Sequence, residues 1–557
     1  MNTLYARLIA GIAAFGLLPF PIAGAAPKPR TVDRLQTEAR GFYLLWSKGR
    51  PEAEQILALP FMRGGQIVQQ WAEVEPTPGR YDFSGVDAGL ARFAARGQRA
   101  TLQVNGNLKP LWLFDQVPHV ATKLSVQVRD AGGTLMFWHP RFQEAHLAML
   151  AALARHVQTS PHHGAMLGLR LNFNAIGTEH LHVPPEFVSP DPWIAPAGVD
   201  RAVAGAYTDT VHETYVDRVV TAYDRLFADW TTVFVRNNLP PEVRMRYADK
   251  FTSGRLAWFH TSSEAEPRSV GTEQQYATFL DFCRTGQTVA FAEPWASAWG
   301  EHGGGPDPRW CSPQQWNYWT LLLNLHCGVS FIGEYFTNLR FAVNGQHGQD
   351  TAVAPDSVGP REFMAAYLWG ADYVGRHNRP AESPGAWVAF RENAVARAPN
   401  PRVSEKERHF TRLTGDYTWL ATRVTEDGSS GVGPIGPSTQ RFGAFARRYP
   451  AGTTARIRLD PDFQRTLSGN VIVRVVVMGG GSAAIQAGPA RSTFRPDPEH
   501  WSTAEFTVPA SDLPASDGAA AVQVRAEGGE LFLHLIEVRR AEGFLPSQAP
   551  QDPMPAP

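Results

Sequence analysis

Between residues 40 and 340, short apolar runs alternate with longer segments of helical periodicity, and this alternation constrains the fold of the chain more than any other feature. Runs at 41–46, 62–68, 99–104, 168–173, 232–236, 255–260, 288–292 and 328–333 read as strands. The separations are too long for hairpins, so the strands are expected to pair in parallel through helical crossovers. Eight such units over roughly 300 residues fit a closed (β/α)8 TIM barrel, whose usual size is about 250 residues plus insertions. Two of the intervening helices are legible: 142–156 places Ala, Leu and Met at helical spacing, and 314–325 follows Ser312-Pro313, a cap and then a first-turn proline. Residues 182–206, rich in Pro and Ala, read as a large loop overhanging the barrel mouth.

After Arg379 the pattern changes. Runs at 387–390, 456–459, 471–477, 504–508, 521–526 and 531–538 are β-like and are separated by Gly, Pro, Asp and Ser. The chain, at 557 residues, exceeds the usual extent of one hydrophobic core. The expected organisation is therefore an export signal over 1–25, a catalytic barrel over 30–380, a smaller all-β, jelly-roll-like sandwich over 381–541 and a disordered Pro-rich tail over 542–557. The export signal rests on Arg7, the apolar run from Leu8 to Leu18, and Ala23-Gly24-Ala25, a small-x-small site with cleavage near Ala25. Pro19 and Pro21 interrupt that run before it reaches the ~20 residues of a membrane span, so stable membrane insertion is not expected.

Lys plus Arg number 52 against 53 acids, with no basic block, so nothing points to nucleic acid. Three cysteines, Cys283, Cys311 and Cys327, do not make a disulfide framework; one bridge or buried thiols are both compatible with them.

Two glutamates stand just past strand-like runs: Glu179 after the fourth and Glu293 after the seventh. In a parallel barrel both positions lie at the C-terminal mouth, where such folds carry their chemistry. Cleavage of a glycosidic bond with retention needs one carboxyl group to protonate the leaving oxygen and another, about 5 to 5.5 Å away, to attack the anomeric carbon. Glu293 is read as nucleophile and Glu179 as acid/base. Glu334 and Glu301 compete for these roles from the eighth strand and from a Gly-rich loop.

Aromatic residues gather near the same ends: Trp71, Trp112, Trp138, Trp295, Trp299 and Tyr335, whose flat faces could stack on sugar rings. Asn105, Asn172, Asn174 and His260, with Gln70 and Asn107, supply groups that both donate to and accept from hydroxyls. A carbohydrate is the expected partner. His180-Leu-His182 beside Glu179, with His260 and His302 elsewhere, supplies zinc-ligand types, yet no HExxH, CxxC or aspartate cluster accompanies them, so neither a metal nor another cofactor is expected.

The segment Trp71-Ala-Glu-Val-Glu-Pro-Thr-Pro-Gly-Arg-Tyr-Asp-Phe-Ser84 resembles the stretch after strand two in clan A glycoside hydrolases, in particular the β-galactosidase-type families 42 and 35. Lys109-Pro-Leu-Trp-Leu113 and Phe137-Trp-His-Pro-Arg-Phe142 are similar to later segments of those families. The resemblance implies a retaining glycosidase barrel with Glu293 as the strand-seven nucleophile. In that clan the strand-four acid/base follows an asparagine, whereas Thr178 precedes Glu179 here. A carbohydrate-binding barrel without catalysis, or an inverting or lyase-type enzyme, are the alternatives this departure leaves open.

Overall fold

The computed structural model describes residues 32–236, 239, 241–261, 273–286, 288–294, 312–346, 353–391, 415–514 and 519–541. The export signal, Trp295, Trp299, Glu301, His302, Cys311 and the Pro-rich tail lie outside the described residues.

Eight parallel strands close into a barrel: β1 Gly41–Leu45, β2 Met62–Gln70, β3 Arg99–Asn105, β4 Met166–Arg170, β5 Thr232–Arg236, β6 Leu256–Thr261, β7 Ala290–Glu293 and β8 Phe331–Tyr335. Each strand pairs with its sequence neighbours, and β1 closes on β8 with Gly41 opposite Phe331. The expected TIM barrel is present, its strand boundaries displaced by a few residues from the apolar runs.

The interior is aromatic. Phe234 of β5 and Phe331 of β8 are not on adjacent strands, and their rings, 5.6 Å apart, meet across the barrel. Tyr43, Phe259 and Phe291 complete the cluster, with Phe291 stacked on Phe331 at 4.6 Å. Rings this large need space from another strand, and Gly168 of β4 provides it: a Cβ there would sit 2.3 Å from the Phe234 ring.

Helices pack outside the barrel. Pro140–Thr159 starts at His139, whose ring accepts a hydrogen bond from the Arg141 N–H at 3.3 Å, and it buries Phe142, His146, Met149, Leu153 and Val157 at helical spacing. Pro313–Cys327 begins on the Ser312 hydroxyl, as the Ser-Pro pair implies, but from Tyr318 to Cys327 it is buried on every side. The second half of the chain is the reason.

Beyond β8, two antiparallel sheets follow. One is built around Leu531–Arg540, flanked by Gly385–Ala389, Ala446–Tyr449 and Asn470–Gly479; the other contains Thr454–Leu459, Val522–Glu527 and Ser482–Ala487. The second sheet alternates buried and half-exposed residues, the pattern of a sheet with one wet face. The central strand of the first is buried almost throughout, because helices Pro313–Cys327 and Val358–Tyr373 cover its other side. The Trp319 indole donates to the Gly443 carbonyl at 2.7 Å, Trp369 donates to Glu537 at 3.1 Å, and the Tyr373 hydroxyl bonds the same carboxylate. The described residues accordingly form one compact unit. Among the described residues no helix is long and apolar enough to cross a membrane.

Candidate active site

Strand parity decides which side chains reach the mouth. From the interior residues Phe291, Phe234 and Phe331, a step of two or four residues toward the C-terminal end leads to Glu293, Arg236 and Tyr335. β4 reaches the same place by a bulge: Ala100 pairs with Met166 and Thr101 with Gly168, which skips Leu167 and turns Gly168 and Arg170 inward. Arg170 then lies over the Phe259 ring, 4.3 Å from its centroid.

Arg170 joins the two glutamates. One terminal nitrogen is 2.8 Å from Glu293 Oε2 and the other contacts Glu179 Oε1, while Arg236 contacts Glu179 Oε2. Glu293 is 3% and Glu179 8% exposed, so both charges are held by guanidinium groups more than by bulk water. The second Glu293 oxygen accepts from the Trp46 indole and from the Tyr335 hydroxyl, each at 3.3 Å. Burial lowers the Arg170 pKa, opposed by the Glu293 charge, and burial raises the Tyr335 hydroxyl far above its ordinary range. A guanidinium is basic enough to stay cationic against that burial, and the phenol stays neutral.

Glu179 lies nine residues past β4, on a loop that folds back on itself. Asn174 N–H bonds the Thr178 carbonyl at 2.9 Å and Ile176 N–H bonds the His180 carbonyl at 3.0 Å. The turn needs Gly177, whose φ is +74° and whose Cβ would fall 2.3 Å from Gln127 Cβ. Thr178, in the place of the asparagine of the resembled clan, locks this loop: its hydroxyl donates to Asn107 Oδ1 at 2.6 Å and its N–H to Gln127 Oε1 at 3.0 Å. His180 bonds the Ser125 hydroxyl.

Several residues expected to meet a ligand are committed elsewhere. Trp71 is fully buried against Phe142 and His146, with its indole donating to Glu75 at 2.9 Å. Trp138 packs against Trp193 and Tyr207 and donates to the Gly205 carbonyl at 3.1 Å. Asn105 and Asn172 bond each other at 3.0 Å, and Asn174 meets His146 at 3.3 Å, all three buried. His260 has the opposite parity from Phe259 and packs on Phe279 in helix Glu273–Thr285. These six residues shape the mouth from below or outside. Trp112 is half-buried, its indole donating to the Glu75 carbonyl at 3.2 Å; Tyr335 is in the site.

Glu334 also has the wrong parity for catalysis. It faces outward, accepts hydrogen bonds from Asn338 at 2.9 Å and from the Tyr335 N–H at 3.0 Å, and burial raises its pKa to about 7. The folded protein thus keeps a proton that the unfolded chain releases above pH ~4.5, and wild-type stability falls as pH rises from there toward 7. Glu334→Gln, permanently neutral, is expected to match wild type near pH 4.5 and to exceed it at pH 8 by up to about 3 kcal/mol. Melting temperatures at the two pH values measure this; an equal difference at both would refute it.

Arg170, Arg236 and Trp46 were not foreseen. The available signal was an arginine inside one apolar run and another closing the next, GLRLNF and TVFVR. Among the described residues no group of three His, Cys, Asp or Glu side chains is arranged to hold a metal ion, and Cys283 and Cys327 are buried free thiols.

Residues 66–167 match the family model described as Beta-galactosidase, so the resemblance carried by the Trp71–Ser84, Lys109–Leu113 and Phe137–Phe142 segments is shown over that region. No curated protein matches the chain. Solved structures similar to it include a β-galactosidase from the psychrophilic Marinomonas ef1, at 14% identity and a TM-score of 0.36, covering 60% of this chain and 59% of that one. Endo-glycoceramidase II from a Rhodococcus species is similar at 12% identity and a TM-score of 0.34, covering 90% of this chain and 98% of that one.

Proposed function

We propose that this protein is a retaining glycoside hydrolase acting on an oligo- or polysaccharide, with Glu293 as nucleophile and Glu179 as acid/base. The observation that carries the reading is the single Arg170 guanidinium in contact with both carboxylates at the barrel mouth. A guanidinium shared by both acids holds them in one cleft, where a nucleophile and an acid/base can act on the same glycosidic bond. The family match over residues 66–167 supports the same reading.

In the first step Glu293 attacks the anomeric carbon while the bond to the leaving oxygen breaks and takes the proton of Glu179. In the second, Glu179 removes a proton from water as that water displaces the glycosyl ester, which restores both groups. Trp46 and Tyr335 hold the attacking carboxylate by its other oxygen, so the nucleophile is oriented before substrate arrives. Export after cleavage near Ala25 belongs to this proposal and rests on the Met1–Ala26 pattern.

Purified protein screened against aryl glycosides and polysaccharides, with the product anomer followed by NMR, tests the reading. Retained configuration is the expected result. Inversion would overturn the nucleophile assignment, and glycan binding without any product would make the barrel a carbohydrate-binding one.

A further inference from the structure

We propose that the site selects a glycan carrying an anionic group, a sugar carboxylate or sulfate, and that Arg236 binds that group. The inference rests on the acid/base role of Glu179 given above.

Charge balance is the physical reason. Among the described residues, two guanidinium groups and two carboxylates meet at the mouth, and they cancel when both acids are ionised. Protonating the leaving oxygen requires Glu179 to carry a proton while Glu293 stays ionised. One negative charge then remains, and Arg170 is against it at 2.8 Å. Arg236 loses the charge of its partner at that moment. Its side chain is only 27% exposed, so water replaces that partner incompletely, and a partly buried unpaired cation is costly.

Among the described residues, the negative charge that still reaches Arg236 is that of Glu293, which Arg170 already holds at 2.8 Å. Burial holds the Tyr335 hydroxyl far above its ordinary pKa, so it stays neutral. His180 is pushed down, first by burial and then by Arg236 itself, so it is a neutral imidazole that adds no charge of either sign. Glu334 and His260 face away from the mouth. An anion arriving with the substrate restores neutrality, and a guanidinium receives a carboxylate or sulfate through two parallel N–H donors. Its arrival also draws Arg236 off Glu179 Oε2, freeing that carboxyl group to hold the proton it must give up. Recognition of the anion and arming of the acid would then be one event.

The test uses matched aryl glycosides that differ only at C6: hydroxymethyl, carboxylate and 6-sulfate. The wild-type protein is expected to favour an anionic member in kcat/KM by at least about tenfold, and Arg236→Gln to reduce the anionic-to-neutral ratio by about 100-fold. Arg236→Lys, which keeps the charge, should restore part of that ratio. Preference for the carboxylate alone or the sulfate alone identifies which anion is used. A wild-type preference for the neutral member, or an equal loss on all three in Arg236→Gln, overturns the proposal.

Calorimetric binding of glucuronic acid, glucose 6-sulfate and glucose to wild-type and Arg236→Gln protein separates this inference from the hydrolase reading. Anion binding that depends on Arg236, with no glycoside cleaved, sustains the anion site and refutes the hydrolase. Cleavage of neutral glycosides with no anion binding does the reverse, and neither binding nor cleavage refutes both.

Discussion

Glu293→Gln is expected to lower turnover by about 10⁴-fold or more while the protein remains folded, because an amide cannot form the glycosyl ester. The amide oxygen can still accept from Trp46 and Tyr335, so the orientation at that side of the group survives. Its NH2 would face the Arg170 guanidinium, donor against donor, and a fall of a few degrees in melting temperature is the expected structural effect. Glu293→Ala leaves a space at the attacking position that a small anion can enter. Azide should therefore restore turnover in the alanine variant and yield a glycosyl azide of inverted configuration. Near-wild-type activity of the glutamine variant on a true substrate would refute the assignment; so would azide rescue appearing at Glu179 but not at Glu293.

Arg170→Met should have the largest effect on stability of any single change at the site. The methionine fits the aliphatic path over Phe259 but leaves two buried carboxylates without the cation they share. Breaking a buried ion pair from one side costs about 3 to 5 kcal/mol, since the remaining charge has lost its compensation. Arg170→Lys would not repair it: a single ammonium lacks the planar fork that reaches both carboxylates. Thermal melts of both variants at pH 8, with activity measured alongside, decide the matter. A methionine variant as stable as wild type at pH 8 would mean that the bridge is not structural.

The two glutamates and the eight strands were legible in the sequence because each depends on local information. A strand in a parallel barrel is an apolar run between turn residues, and a carboxylate just past such a run falls at the mouth. Tyr335 followed by the same reasoning. The placement of Trp71 and Trp138 did not, because an indole after a strand looks the same in sequence whether its face meets a sugar or Phe142 and Trp193. His260, expected to meet a ligand, and Glu334, a competitor of the two chosen acids, sit out of phase: each is one residue away from an inward-facing neighbour, and a shift of one position moves a side chain from the mouth to the helical layer. In the antiparallel half, Leu531–Arg540 read well as a strand, but its burial on both faces depends on helices more than 150 residues earlier in the chain.

The sequence by itself determined the alternation that closes the barrel, the antiparallel strands after it, and the two acids at its mouth, since hydrophobic period and turn chemistry act over a few residues. Only the tertiary structure decided what those acids touch. Arg170 turns inward because β4 carries one extra residue at Leu167 against β3, and that register is set by pairing between strands some sixty residues apart. Arg236 arrives from another strand, and Thr178 fixes the Glu179 loop through Asn107 and Gln127 of the preceding one. Partners brought together by barrel closure leave no mark on local periodicity, because the free energy that selects them comes from contacts between distant parts of the chain.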